Sequence, residues 1–121
     1  MYTRFLGGLA LALSLPSAAC GDSSGTGTPI DCETATVKTF DEISGAFSKC
    51  TSCHDSALVG PTDREAAPDG VDYDTCAGAD VKRADISSQI EQGLMPPSDK
   101  PQLSDTERTD LLTWVACGVC P

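Results

Sequence analysis

Residues 50–54 read CTSCH, and this pentapeptide decides how the rest of the chain is interpreted. It contains two of the seven cysteines and the only histidine among the 121 residues. Cys50 and Cys53 are separated by two residues, and His54 follows immediately. In so short a chain, this excess of cysteine points to disulfides, a metal or a covalent cofactor rather than to ordinary apolar packing.

The pattern C-x-x-C-H is the attachment pattern of c-type haem. Two thiols at this spacing reach the two vinyl groups of the porphyrin and form thioethers, and the adjacent imidazole is an axial ligand that suits iron. We therefore expect one covalent haem c held by Cys50, Cys53 and His54. A second haem is excluded, because the other C-x-x-C pair, Cys117 and Cys120, is followed by proline.

The second axial ligand is predicted to be Met95. Ligation by two histidines within one chain is impossible, and Met95 is the only methionine left after the predicted processing of the N-terminus. It lies in the sequence LMPP at 94–97, where two prolines stiffen the segment that carries the thioether. The alternative is a core methionine that fills a gap.

Two other sites compete for the cysteine pair of the pentapeptide. A structural zinc site needs four ligands, and Cys117 and Cys120 would supply the missing two. A thioredoxin-like redox site lies beside a βαβ unit, and no stretch of this chain alternates convincingly between apolar and polar residues.

Two capping boxes and their apolar stripes predict an all-α chain. Thr39 and Glu42 form the first box, which opens a helix that ends near Cys50, and Ser104 and Glu107 form the second. The apolar stripes consist of Phe40, Ile43 and Phe47 in the first helix and Leu111, Leu112, Trp114 and Val115 in the last, which Gly118 ends.

The middle of the chain is predicted to hold one helix and one long loop. Ile86 and Ile90 indicate a helix over 84–92 that ends at Gly93. Residues 55–83 are rich in Gly, Pro and Asp, and a loop of this length is acceptable in a compact domain if it wraps a large ligand.

Over residues 38–118 the chain resembles small monohaem cytochromes c of exported bacterial type. Those proteins carry M-P-P followed by L-S-x-x-E-x-x-x-L-x-x-W, which here spans 95–97 and 103–114. The resemblance implies the cytochrome c fold, in which three or more short helices and a long loop surround the haem. It also implies that Phe47 and Trp114 pack where the first and last helices cross.

The resemblance further names residues around the haem. It makes Arg64 a candidate contact for a haem propionate, the alternative being an ordinary surface arginine. It also makes Pro61 or Pro68 the candidate source of a backbone carbonyl that orients His54.

The N-terminus predicts export. Residues 1–19 have the order of a signal peptide, and the apolar run at 5–15 is too short to span a bilayer. Ser17 to Cys20 resembles the lipobox of bacterial lipoproteins, with Ser17 where leucine is usual. Cys20 is thus the predicted lipid anchor, simple cleavage being the alternative. Residues 20–31 are interpreted as a tether and 32–121 as the cytochrome domain of a periplasmic or outer-membrane lipoprotein.

The remaining cysteines form an even set, Cys32, Cys76, Cys117 and Cys120, which predicts two disulfides in an oxidising compartment. Three connectivities are open to the sequence, and we favour Cys76 with Cys117 and Cys32 with Cys120. A reactive dithiol formed by Cys117 and Cys120 is the alternative.

The net charge of −10 excludes a reader of nucleic-acid phosphates and favours redox partners with basic docking patches. With both axial positions filled, the predicted function is one-electron transfer and not enzymatic catalysis. The alternatives are a sensor in which Met95 yields to a small ligand, a haem peroxidase, which lacks a second histidine, and a disulfide-stapled binding lipoprotein. The candidate docking face, or simply a solvated loop, carries Asp63, Glu65, Asp69, Asp72, Asp74 and Asp80.

Overall fold

The computed structural model describes residues 28–121, and this part of the chain is helical without a strand. A 3₁₀ turn at Asp41–Ile43 precedes the helices α1 Ser44–Thr51, α2 Gly60–Asp63, α3 Cys76–Asp80, α4 Arg83–Glu91 and α5 Asp105–Cys117. The all-α prediction is therefore confirmed for the described residues. The predicted signal peptide, the anchor Cys20 and the tether as far as residue 27 lie outside them.

No helix within residues 28–121 has the length and apolar character needed to cross a bilayer.

Both predicted capping boxes are present. The backbone N–H of Thr39 donates to the Glu42 carboxylate at 2.8 Å, and the Glu42 N–H donates to the Thr39 hydroxyl at 3.3 Å. The chain then makes its 3₁₀ turn before it relaxes into α1. The matching bonds between Ser104 and Glu107, at 2.7 and 3.3 Å, open α5 directly. Each box satisfies backbone donors that the helix itself leaves unpaired.

The core forms where α1 and α5 meet. The rings of Phe47 and Trp114 are perpendicular with centroids 5.5 Å apart, and Phe40 lies 4.7 Å from Phe47 and 5.6 Å from Trp114. Trp114 is fully buried, and Ile86 and Ile90 of α4 complete the same cluster. The expected contact between Phe47 and Trp114 is thus found.

The glycines after α4 and α5 end these helices in two different ways. Gly93 has φ +68°, the left-handed conformation that glycine adopts without a steric penalty. Gly118 is extended, with φ −67° and ψ 161°. A Cβ atom at Gly118 would lie 2.3 Å from Cδ1 of Trp114, so the residue is needed for close approach to the indole and not for its backbone angles.

The predicted long loop contains two short helices. α2 has Pro61 at its start, and α3 is capped by the Thr75 hydroxyl, which accepts from the Gly78 N–H at 3.1 Å. The expectation of an unstructured stretch over residues 55–83 was therefore too simple, because both segments are shorter than an apolar period can reveal.

The disulfides are Cys32–Cys117 and Cys76–Cys120. The four cysteines pair as predicted in number, but the favoured connectivity was wrong. The first bridge joins the N-terminal segment to the last residue of α5, and the second joins α3 to the chain just beyond it. Cys117 and Cys120 lie three residues apart, and each takes the partner that was expected for the other. The dithiol alternative for Cys117 and Cys120 does not apply.

The side chain of Arg83 stabilises the C-terminal end of α5. Arg83 donates to the carbonyls of Trp114, Val115 and Gly118 at 2.7–3.0 Å and forms an ion pair with Asp80 at 2.6 Å. Its guanidinium also lies 4.5 Å from the centre of the Trp114 ring, in cation–π contact. The helix end is thereby joined to the start of α4.

Candidate functional site

A cavity of about 590 Å³ opens between the end of α1, the segment after it, α4 and the residues following Gly93. This volume is in the range of about 300–1,000 Å³ that small-molecule and cofactor sites occupy. Its apolar walls are formed by Ala66, Ala67, Pro68, Val71, Ile86, Ile90, Pro96, Pro97 and Leu103. Cys50, Cys53, His54 and Met95 all line this same cavity.

Cys50 and Cys53 are the cysteines within residues 28–121 that form no disulfide. Burial is the main cause that raises the pKa of the Cys50 thiol to about 11, and the neighbouring Cys53 adds to it. A thiol that stays protonated at neutral pH is a poor nucleophile, which argues against the thioredoxin-like interpretation. The zinc interpretation is wrong for its proposed four ligands, because Cys117 and Cys120 are in disulfides.

His54 is oriented by one backbone carbonyl. Its Nδ1 atom lies 2.8 Å from the Val71 oxygen, and the residue is 8% exposed. A carbonyl oxygen only accepts, so Nδ1 donates in this bond, and Nε2 is the ring nitrogen left for a metal. The carbonyl expected from Pro61 or Pro68 thus comes from Val71 instead.

Tyr73 completes the setting of the imidazole and was missed from the sequence. Its ring centroid lies 4.7 Å from that of His54, and its backbone N–H donates to the His54 carbonyl at 2.7 Å. Burial raises the pKa of the Tyr73 hydroxyl to about 12, which keeps the phenol neutral. The available signal was an aromatic residue in a stretch otherwise rich in Asp and Gly.

Arg64 does not line the cavity, and the expected propionate contact is not supported. The side chain is 2% exposed, and its guanidinium is engaged by the chain itself. Nη2 lies 2.8 Å from the Asp72 carboxylate. The carbonyls that accept from the guanidinium at 2.9–3.5 Å belong to Asp55, Leu58, Ala67, Pro68 and Val71.

The wall next to Arg64 has an unusual backbone. Glu65 and Ala66 have φ angles of +49° and +67°, a region that residues with a side chain rarely adopt. The Ala66 N–H donates to the Pro61 carbonyl at 2.8 Å, which holds the turn closed. Such strain persists where the surroundings determine the backbone, as the Arg64 contacts do here.

Met95 lies at the cavity on the segment that follows α4. The residue is 38% exposed, and the N–H groups of Leu94 and Met95 donate to the Gln89 carbonyl at 2.9 and 3.3 Å. The Met95–Pro96 peptide is cis. The structure brings Met95 to the cavity that His54 also lines.

Ion pairs mark the rim of the cavity. Lys100 lies 2.6 Å from Glu65 and thereby joins the two segments on either side of the opening. The hydrogen bond to Glu65 raises the pKa of Lys100. Lys49 lies 2.6 Å from Glu107 and also donates to the Gln102 carbonyl at 2.9 Å.

Within residues 28–121, no three His, Cys, Asp or Glu side chains come together as a metal site made by protein ligands alone. No family model, no curated protein and no solved structure matches this chain. The residues around the cavity are therefore the basis for the function proposed below.

Proposed function

We propose that this chain is a one-electron carrier of the c-type cytochrome kind, with one covalently bound haem. One observation supports this most strongly: two unpaired thiols and an imidazole with a free Nε2 line a single apolar cavity. The all-α architecture agrees with the cytochrome c fold that the sequence resembles, and that finer assignment is part of the proposal.

The residues present fit such a group. Cys50 and Cys53 would hold it through two thioethers, and the His54 imidazole and the Met95 thioether would supply ligands to its iron. Neither thiol is engaged in a disulfide, so both are available for attachment. Lys49 and Lys100 are the cations that line the cavity and would face its carboxylates.

When bound, haem supplies an iron that cycles between the ferric and ferrous states by gain or loss of one electron. The protein's own residues determine how readily this happens. Val71 fixes the tautomer and direction of His54, and Tyr73 packs on the imidazole face. The apolar wall excludes water, and a thioether ligand such as Met95 favours the ferrous state relative to a second nitrogen.

A ligand sensor is the second candidate function. The observation that favours it is the exposed position of Met95, since a thioether within reach of solvent is easier to displace than a buried one. In that case a small gas molecule would take the position of Met95.

The partners follow from the charge. A chain with a net charge of −10 is expected to associate with redox proteins that present basic patches, in a manner weakened by salt. Export and a lipid anchor at Cys20 remain part of the proposal, and mass spectrometry of the mature N-terminus tests them.

The test uses the full chain produced with haem-maturation machinery. We expect reduced and oxidised optical spectra typical of a low-spin haem, and a positive pyridine haemochrome assay. A colourless product from a host that matures another c-type cytochrome in parallel contradicts the proposal.

Met95→Ala separates the two candidates. For an electron carrier, the variant loses the near-infrared band of methionine-to-iron ligation and begins to bind carbon monoxide, whereas the wild-type ferrous protein resists it at neutral pH. Rapid carbon monoxide binding by the wild type supports the sensor. An unchanged near-infrared band in the variant shows that Met95 is not the ligand.

A further inference from the structure

Two donors converge on the Val71 carbonyl. His54 Nδ1–H donates to it at 2.8 Å, and Arg64 Nη2–H donates to it at 3.0 Å. A carbonyl oxygen has two lone pairs and accepts both bonds. Each donor draws electron density from the oxygen and so weakens the hydrogen bond that the oxygen accepts from the other donor. The guanidinium and the imidazole are thus linked through one atom without touching each other.

We propose that Arg64 is a positioning residue that tunes His54 through the Val71 carbonyl. The inference rests on the proposed function, because His54 matters as a ligand only if iron is bound. Outer partners of a ligating histidine set its orientation and its basicity. A guanidinium bonded to the same carbonyl makes it a weaker acceptor, so the imidazole donates less electron density and the ferrous state is favoured.

The surroundings make Arg64 suited to this role. The side chain is 2% exposed, and its contacts to the Asp55, Pro68 and Val71 carbonyls hold both ends of the segment that bears the acceptor. Asp72, 2.8 Å from Nη2, balances part of the guanidinium charge. The more distant Asp69, at 3.6 Å, has a side chain that is 85% exposed and is screened by water.

Arg64→Lys tests the proposal without changing the net charge. A lysine ammonium cannot reproduce the planar fork that serves several carbonyls at once. We expect the midpoint potential of the holoprotein to fall, and the His54 Nδ1–H resonance of the diamagnetic ferrous protein to shift downfield as its bond to Val71 strengthens.

Arg83→Lys is the matched control. Arg83 also donates to three backbone carbonyls and pairs with an aspartate, but it serves the end of α5 and has no contact with His54 or Val71. Loss of stability without a change of potential or of the His54 resonance is expected. Equal shifts in both lysine variants would overturn the proposal, because they would reflect general loosening.

Asp72→Asn provides a second variant in case Arg64→Lys does not fold. With less of its charge balanced, the guanidinium polarises the carbonyl more strongly, so the potential should rise and the Nδ1–H resonance should move upfield. Asp69→Asn removes an equal charge from a solvent-exposed side chain and should change the potential and the resonance less. A His54 resonance that does not move in Asp72→Asn would overturn the inference.

The haemochrome assay on each preparation keeps the two proposals apart. A wild-type preparation without covalent haem contradicts the proposed function. A preparation with a full complement of haem, but no difference between the Arg64 and Arg83 variants, contradicts only the role given to Arg64.

Discussion

The helix pair α1–α5 and the segment over residues 54–75 are held together by different forces. The helices meet through the rings of Phe40, Phe47 and Trp114, so burial of apolar surface stabilises them. Tyr73 is the one buried apolar side chain of the segment, which instead is gathered around one guanidinium that binds five carbonyls. The molecule thus has one region stabilised by packing and one stabilised by directional polar bonds.

A substitution in the α1–α5 contact should give the largest loss of stability. Trp114→Ala removes a fully buried indole from the α1–α5 contact and should lower the free energy of unfolding by about 3–5 kcal/mol. Urea unfolding followed by circular dichroism measures this. Val119→Ala, at an exposed site in the same region, should change it by less than about 0.5 kcal/mol. Similar losses in both variants would contradict the packing role of Trp114.

A substitution at the centre of the segment over residues 54–75 should give the next largest loss of stability. Arg64→Met leaves several carbonyls without their donor and the Asp72 carboxylate without its ion-pair partner. The expected cost is about 3 kcal/mol, the low end for one partner of a buried pair because Asp72 is partly exposed. Hydrogen exchange should show the loss concentrated in residues 54–75. A variant in which α5 and this segment lose protection equally would remove the distinction between the two regions.

The two glycines at 118 and 45 should respond with opposite signs. Gly118→Ala forces a Cβ against the Trp114 ring and should destabilise the fold by about 1–3 kcal/mol. Gly45→Ala, inside α1 with no atom within 4 Å of the new methyl, should stabilise it by about 0.5–1 kcal/mol. Thermal unfolding measures both, and a stable Gly118→Ala variant would show that the indole can move.

The smallest effect concerns Glu107, which joins the start of α5 to α1 through Lys49. The hydrogen bond from Lys49, followed by those from Ser104, lowers the pKa of Glu107 from 4.5 to about 2. A lowered pKa in the folded state stabilises the fold above the unfolded pKa, and this contribution is lost as pH falls from about 4.5 to about 2. Glu107→Gln should therefore be less stable than wild type at pH 7, with a difference that shrinks in acid. A difference independent of pH would assign the effect to packing.

The helices α1 and α5 were predictable because their signals are local. Each capping box lies within four residues, and the stripes that contain Phe47 and Trp114 repeat at helical spacing. The cysteine pattern likewise predicted which thiols stay unpaired and which join in disulfides. Met95 lies at the cavity, on the segment between Gly93 and two prolines that the sequence pattern indicated.

The polar contacts of the segment over residues 54–75 were not predictable, because no local sequence pattern encodes them. The five carbonyls that Arg64 binds are backbone atoms, which carry no sequence signature, and the Val71 carbonyl therefore could not be told from those of Pro61 and Pro68. The disulfide connectivity failed for a related reason. Cys117 and Cys120 are close enough in the chain that the fold, and not their spacing, selects the partner of each.

The most direct measurement is the intact mass of the mature chain, with peptide mapping of the fragment that contains residues 50–54. The proposed function predicts one added haem mass that survives denaturation and maps to Cys50 and Cys53, while Cys50→Ala/Cys53→Ala loses it. An unmodified wild-type fragment, from cells that attach haem to a control cytochrome, would contradict it.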